Sequence, residues 1–230
     1  MKKYLLIFIL IANLFYSVEE NTNYLKGLEF YSQKKFLQAI GFLKKAIEEG
    51  YDNPLCYFYL ANSYLNNEDY DKSIENYIFS LKKSINSEFS SIIYYNIGYV
   101  FYLKKDYDKS IQFFNKAYEL NKNLVNVYWY KGMAYFKKRD KINTINEWIK
   151  YIELDPNGPE VPKLKIALGI LTNDNFSFKE IEETQLDQTL NQSNTNSQIE
   201  NIIDIEGVLK DIELEDKGKV SDESYEDIEK

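Results

Sequence analysis

The chain has 230 residues, 44% of them hydrophobic and 16% aromatic, which suffices for one or two domains with a buried core. It contains no histidine and one cysteine, Cys56, so the commonest general base and transition-metal ligand is missing and an internal disulfide or thiolate cluster is excluded. The net charge of −8 is unevenly placed, +4 over residues 1–171 and −12 over residues 172–230, which divides the chain into a body and an acidic tail.

Residues 1–19 stand apart. Met1-Lys2-Lys3 precedes an apolar run from Tyr4 to Phe15, the basic-then-apolar order of a secretory signal. The run is short for a mature bilayer-spanning helix. Phe15 is large where a signal peptidase prefers a small residue, so two readings stand: a cleaved signal peptide, or a retained membrane anchor. Either way the protein is expected to be exported, periplasmic or attached to the cell envelope, with membrane attachment through this segment in the second case.

From residue 20 to 171 one phrase recurs four times. Its anchors are Gly27, Ala61, Gly98 and Gly132, spaced by 34, 37 and 34 residues. A fixed period of this size marks stacked helix pairs, none of which buries its apolar face alone. The pattern predicts helices near Thr22–Gln33 and Phe36–Glu49, Leu55–Asn66 and Tyr70–Lys83, Ser90–Lys104 and Tyr107–Leu120, and Leu124–Lys138 and Lys141–Leu154. The joints within each pair admit only antiparallel neighbours. Three extra residues before the third unit suggest a longer joint there. Pro156 and Pro159 stop the last helix. Pro159–Leu171 follows, with Val161, Leu164, Ala167, Leu168 and Leu171 as its apolar face.

A small residue recurs in each first helix (Gly27, Ala61, Gly98, Gly132), with an aromatic three residues on (Phe30, Tyr64, Phe101, Tyr135). Each second helix carries a small residue early (Ala39, Ser73, Ser110, Thr144) and a large one four on (Leu43, Tyr77, Phe114, Trp148). Small residues let the helices approach, and large ones fill the space beside them. These residues resemble the tetratricopeptide repeat family over about residues 20–156. The fourth unit departs most, with Lys141, Thr144 and Tyr151 at positions usually aromatic or small. The resemblance implies an all-α fold: a right-handed α–α superhelix of four helix hairpins, with Pro159–Leu171 as the capping helix and the first helices lining a concave groove. It also implies a protein that holds other molecules. No nucleophile–base pair, metal-ligand spacing or phosphate loop is present, so neither enzymatic activity nor a cofactor or metal is expected. Cys56 reads as a small buried apolar residue.

Each first helix has a second apolar stripe, repeating at i, i+4 and i+7: Tyr24, Leu28, Tyr31; Phe58, Asn62, Leu65; Tyr95, Tyr99, Tyr102; Trp129, Met133, Phe136. The resemblance places this stripe on the concave face, where it would take an apolar or amphipathic peptide of a protein partner. The other reading is that the stripe is buried in the array. A clamp for acidic C-terminal carboxylates is not expected, because Tyr24, Leu28, Tyr59, Ile92 and Asn96 hold its positions. Basic residues cluster at helix ends and joints without forming a continuous face, so no nucleic acid is expected.

Residues 172–230 read as a flexible, mostly disordered acidic tail. Gln185–Gln198 is a polar linker. Near residues 199–212 a short amphipathic helix is expected, with Ile202, Ile205, Leu209 and Ile212 on one face; self-docking of this helix in the aromatic groove is a further expectation. The sequence supports an interaction scaffold of the bacterial cell envelope, or alternatively a structural subunit of a larger envelope assembly that uses the array's edges and cap.

Overall fold

The computed structural model describes residues 21–84, 86–174 and 176–178. The signal or anchor segment 1–19, the helix expected near 199–212 and the linker before it lie outside the described residues, as does almost all of the tail. Nine α-helices and no strand are present among the described residues, so the chain is all-α. It divides into two compact units at Lys83/Ser84.

The first unit holds α1 (Thr22–Ser32), α2 (Phe36–Glu48), α3 (Pro54–Asn66) and α4 (Tyr70–Lys83). Two hairpins, α1/α2 and α3/α4, pack through α2 on α3, with α1 also touching α3. The second unit holds α5 (Ser87–Leu103), α6 (Tyr107–Leu120), α7 (Asn126–Lys137), α8 (Lys141–Leu154) and α9 (Val161–Leu171). The hairpins α5/α6 and α7/α8 pack in the same way, and α9 packs on α8. The expected capping face is buried at Val161, Leu164, Ala167 and Leu171, with Leu168 half-buried.

Local chemistry sets the helix ends. Asn21 caps α1 by accepting from the Asn23 and Tyr24 amides, and Asn53 caps α3 ahead of Pro54 at its first position. The three extra residues do not lengthen a joint. They lengthen α5 to 17 residues, because Asn86 caps it by accepting from the Phe89 amide at 2.7 Å and so starts it three residues earlier than the repeat pattern predicts.

The turn inside each hairpin is the same one four times. Lys34, Glu68, Lys105 and Arg139 have φ between 58° and 63°. At each, the next residue's amide donates back to the carbonyl five positions earlier, as in Lys35 to Phe30 and Asp106 to Phe101 at 2.9 Å. This is a Schellman closure made without glycine. The left-handed residue costs about 1–2 kcal/mol. The residue after it then starts the next helix. Asp106 accepts from the Lys109 amide at 3.2 Å and Asp140 from the Asn143 amide at 3.1 Å, whereas Lys35 leaves α2 without a side-chain cap. A hydrogen bond from Lys109 holds the Asp106 carboxyl below its ordinary value. That contribution is present above the range where an unfolded aspartate titrates and fades as pH falls through the lowered folded value.

Between the two helices of a hairpin, a small residue faces a large one. A Cβ on Gly132 would lie 2.1 Å from Trp148 Cδ1, one on Gly27 2.6 Å from Leu43 Cδ2, and one on Gly98 2.9 Å from Phe114 Cδ1. Ala61 and Tyr77 hold the equivalent positions in the second hairpin, both fully buried. In the fourth hairpin, which departs most from the repeat, Trp148 is fully buried and its Nε1 donates to the Trp129 carbonyl at 3.3 Å. Tyr151 is buried as well, its ring tilted on Trp129 at 6.2 Å.

Two stability tests follow from these contacts. Gly132→Ala is expected to lower unfolding free energy by about 1–3 kcal/mol, although alanine gains about 1 kcal/mol in helix propensity. Gly41→Ala, on α2 with open space around the new Cβ, is expected to gain up to about 1 kcal/mol. Urea denaturation checks both, and a stabilised Gly132→Ala would contradict the packing described. At the turns, Asp106→Ala is expected to cost about 1 kcal/mol and Lys105→Gly to gain about 0.5–1 kcal/mol, read by the same method.

Candidate interaction surface

In the first unit the apolar stripe lies on α1 and α3. Tyr24 and Tyr31 are buried; Tyr24 tilts against Tyr51 at 4.9 Å, and Tyr31 meets Phe36 and Tyr59 edge-on at 5.8 and 5.3 Å. Phe58 is fully buried against Tyr77 at 5.6 Å. Asn62, the one plainly polar member, is buried and accepts a hydrogen bond from the Tyr77 hydroxyl through its Oδ1. Only Leu28 and Leu65 remain half-buried. Beside them Tyr59 is also half-buried, packed on the core of this unit.

In the second unit the stripe lies on α5 and α7. Tyr99, Tyr102, Trp129, Met133 and Phe136 are buried and Tyr95 is half-buried. Tyr130 is the hub that sequence reasoning missed. Its ring takes Tyr95 at 5.8 Å, Tyr99 at 5.2 Å and Tyr102 at 6.0 Å, and stacks on Phe114 at 5.5 Å. Trp129 and Phe136 stack on Trp148 at 6.1 and 6.0 Å. The structure therefore brings the stripe residues of each unit together, and nine of the twelve do their packing inside the fold. The accessible part is Leu28 and Leu65 in the first unit and Tyr95 in the second, each beside the buried rings of its own unit.

Polar chemistry is sparse. Lys131 and Glu147 pair at 3.0 Å, both largely shielded from water, with Lys131 over the Tyr128 ring at 5.1 Å. Burial, then a hydrogen bond with Tyr118, raises the Tyr128 phenol above its ordinary value. This cluster was not legible in the sequence, because its members come from α6, α7 and α8 and share no motif. Cys56 is fully buried, its Sγ 3.6 Å from the Leu43 carbonyl, and burial pushes its thiol up to about 12. A thiol so placed is a packing group rather than a nucleophile. Among the described residues, no group of three potential metal ligands converges and no helix is long and apolar enough to cross a membrane.

A second apolar population faces water on the second helices and α9. Leu37 is 70% exposed, Ile142 72% and Ile166 52%. Leu37 and Ile142 hold the same position in the first and fourth hairpins, where Asp71 and Asp108 stand in the middle two.

The class defined by these features is a helical-repeat protein, built from hairpins that bury their faces only by stacking. Residues 55–123 match the family model of the tetratricopeptide repeat, so the resemblance read from the anchors holds. Among solved structures, the fold is similar to a chain of the Cut9–Hcn1 hetero-tetramer of APC/C, at 21% identity and a TM-score of 0.57, covering 66% of this chain and 29% of that one. This chain thus spans under a third of that relative's length. It is also similar to MamA, at 17% identity and a TM-score of 0.55, covering 83% and 96% of the two chains. MamA from Desulfovibrio magneticus RS-1 gives 16% identity and a TM-score of 0.55, covering 83% and 93%. No curated protein sequence matches the chain.

Two substitutions probe the polar atoms inside this layer. Tyr77→Phe is expected to cost about 1–2 kcal/mol, since it withdraws the donor from buried Asn62. Ser110→Ala is expected to be neutral or to gain up to about 1 kcal/mol, since the buried Ser110 hydroxyl finds no hydrogen-bond partner among the described residues. Thermal unfolding of each variant reads the sign.

Proposed function

We propose that this protein is a non-enzymatic interaction scaffold of the bacterial cell envelope, which holds an apolar or amphipathic segment of a protein partner against the aromatic face of its first helices. The fold is one whose members hold other proteins. The observation that carries the reading is the half-buried pair Leu28 and Leu65 on two first helices of the first unit, beside the buried rings of Tyr24, Tyr31 and Phe58. A rigid aromatic bed under a few accessible side chains loses little entropy on binding, which is where affinity is gained. The tyrosine tips supply hydrogen bonds to the partner's backbone or rim. The Cut9 relative is found in a hetero-tetramer, in keeping with assembly as the use of such an array. Export through residues 1–19 rests on the basic-then-apolar order of that segment.

A second reading has its own observation. The exposed Leu37, Ile142 and Ile166 would suit a structural subunit that joins neighbours through its edges and terminal helix. The two readings separate in one experiment. Full-length protein and two variants, Leu28→Asp/Leu65→Asp and Ile166→Asp, serve as baits on solubilised native membranes, after circular dichroism shows that each is folded. The scaffold reading expects one partner to be retained by wild type and Ile166→Asp and reduced at least tenfold by the double variant. A partner lost only with Ile166→Asp would reject the aromatic face and favour the edge.

A further inference from the structure

Within each unit a ring of the aromatic stripe is met by a ring on the next first helix. Tyr59 stands edge-on to Tyr31 at 5.3 Å and 68°, and Tyr130 to Tyr102 at 6.0 Å and 68°. In both cases the covering tyrosine lies 28 positions further along the chain. The same step from Phe136 reaches Leu164 on α9, which is fully buried but has no ring to offer. Phe136 is covered all the same, by Phe178, which meets it edge-on at 5.5 Å and 63°.

Phe178 is delivered differently from the two tyrosines. Tyr59 and Tyr130 stand on α3 and α7, whereas Phe178 follows the end of α9 at Leu171, and Phe176 and Ser177 before it are in no helix. The segment is fastened to the start of α8. Lys141 Nζ donates to the Asn173 carbonyl at 3.4 Å and lies 5.5 Å over the Phe176 ring. The Phe176 amide donates to the same carbonyl at 3.1 Å, and the Phe176 ring meets Phe178 edge-on at 5.1 Å. Phe176, Ser177 and Phe178 are all half-buried. Beneath them Phe136 is buried and stacks on Trp148, itself tied to the Trp129 carbonyl. The floor is thus fixed by the α7/α8 hairpin, while its cover comes from a separate, part-exposed stretch of chain.

We propose that the face of Phe136 beside Lys141 is a docking subsite for an aromatic-x-aromatic segment of a partner protein, and that Phe176-Ser177-Phe178 is its internal occupant, which such a partner displaces. The proposal rests on the reading of the aromatic face as a binding surface and names the chemistry taken in the second unit. The occupant shows what the subsite accepts: two rings two residues apart, the second edge-on to Phe136 and the first under a lysine ammonium. Displacement exchanges like for like. A lone partner ring therefore gains nothing against one already tethered at an effective concentration on the order of millimolar. A partner prevails only by adding contacts elsewhere on the aromatic face, so the cover turns away chains that offer isolated rings.

Fluorine NMR of the full chain labelled with para-fluorophenylalanine, titrated with the peptide N-acetyl-Phe-Ser-Phe amide, tests the proposal. The Phe178 and Phe136 signals are assigned from the variants Phe178→Ala and Phe136→Leu. In wild type the peptide is expected to move the Phe178 signal toward that of a free ring, at concentrations on the order of millimolar, while N-acetyl-Ala-Ser-Ala amide leaves it in place. With the internal ring removed, Phe178→Ala is expected to bind the same peptide several-fold more tightly than wild type, read at the Phe136 signal. A Phe178 signal that ignores the peptide up to its solubility limit overturns the proposal, and this measurement on wild type stands even if Phe178→Ala fails to fold. Equal affinity of wild type and folded Phe178→Ala overturns it too, as does an equal response to both peptides. A Phe178 signal that shifts on dilution of the protein makes a second copy the occupant and likewise rejects it. None of these readouts involves Leu28 or Leu65, so failure here leaves the membrane pull-down to decide the reading of the aromatic face by itself.

Discussion

Three of the four hairpins close on a glycine set against a large side chain of the facing helix, Gly27 on Leu43, Gly98 on Phe114 and Gly132 on Trp148. Where Gly132 meets Trp148 there is no room for even one carbon, and the indole is further fixed by its hydrogen bond to the Trp129 carbonyl. This close approach sets the separation of the two helices, and everything beyond it inherits that distance. The rings of Trp129 and Phe136 can stack on Trp148 only while α7 and α8 stay together. In the neighbouring hairpin, Phe114 meets both Gly98 and Tyr130, so the same side chain that closes one pair also receives the next. Splaying either helix would leave voids among rings that bury large areas.

Around this interior the lysines do more than solvate the surface. The Lys116 ammonium lies 4.8 Å over the Phe113 ring and that of Lys122 4.3 Å over Tyr118, so each charge covers a ring face. An aromatic-rich array thereby presents charge rather than bare rings along much of its rim. Among the described residues nine large apolar side chains are exposed, and the two most exposed, Leu37 and Ile142, repeat one position of the hairpin.

Much of the fold was legible because its rules are local. Three helices, Tyr70–Lys83, Tyr107–Leu120 and Lys141–Leu154, have the bounds that the pattern predicts, since a turn residue, a cap and a 3.6-residue rhythm lie within a few positions of one another. The early start of α5 was missed because a cap at Asn86 outweighs the repeat's own spacing. The twelve stripe residues share the faces that the rhythm gives them, yet the rhythm cannot say how deeply a face is covered. That depends on neighbours such as Tyr130, which belongs to no recurring position. The Lys131–Glu147 pair and the meeting of Phe178 with Phe136 were illegible for the same reason: each depends on how separate segments are arranged in space.

The repeated left-handed turn has a bearing on synthesis. Each pair of helices is joined by hydrogen bonds spanning no more than five residues, and its closing contact spans only sixteen positions, as from Gly27 to Leu43 or Gly132 to Trp148. Contacts this short in sequence form quickly. An emerging chain can zip its first pair of helices while the later ones are still being translated, and each new pair finds a finished surface to settle on. Such an order of assembly limits the time during which a chain so rich in tyrosine and phenylalanine shows those rings to its surroundings.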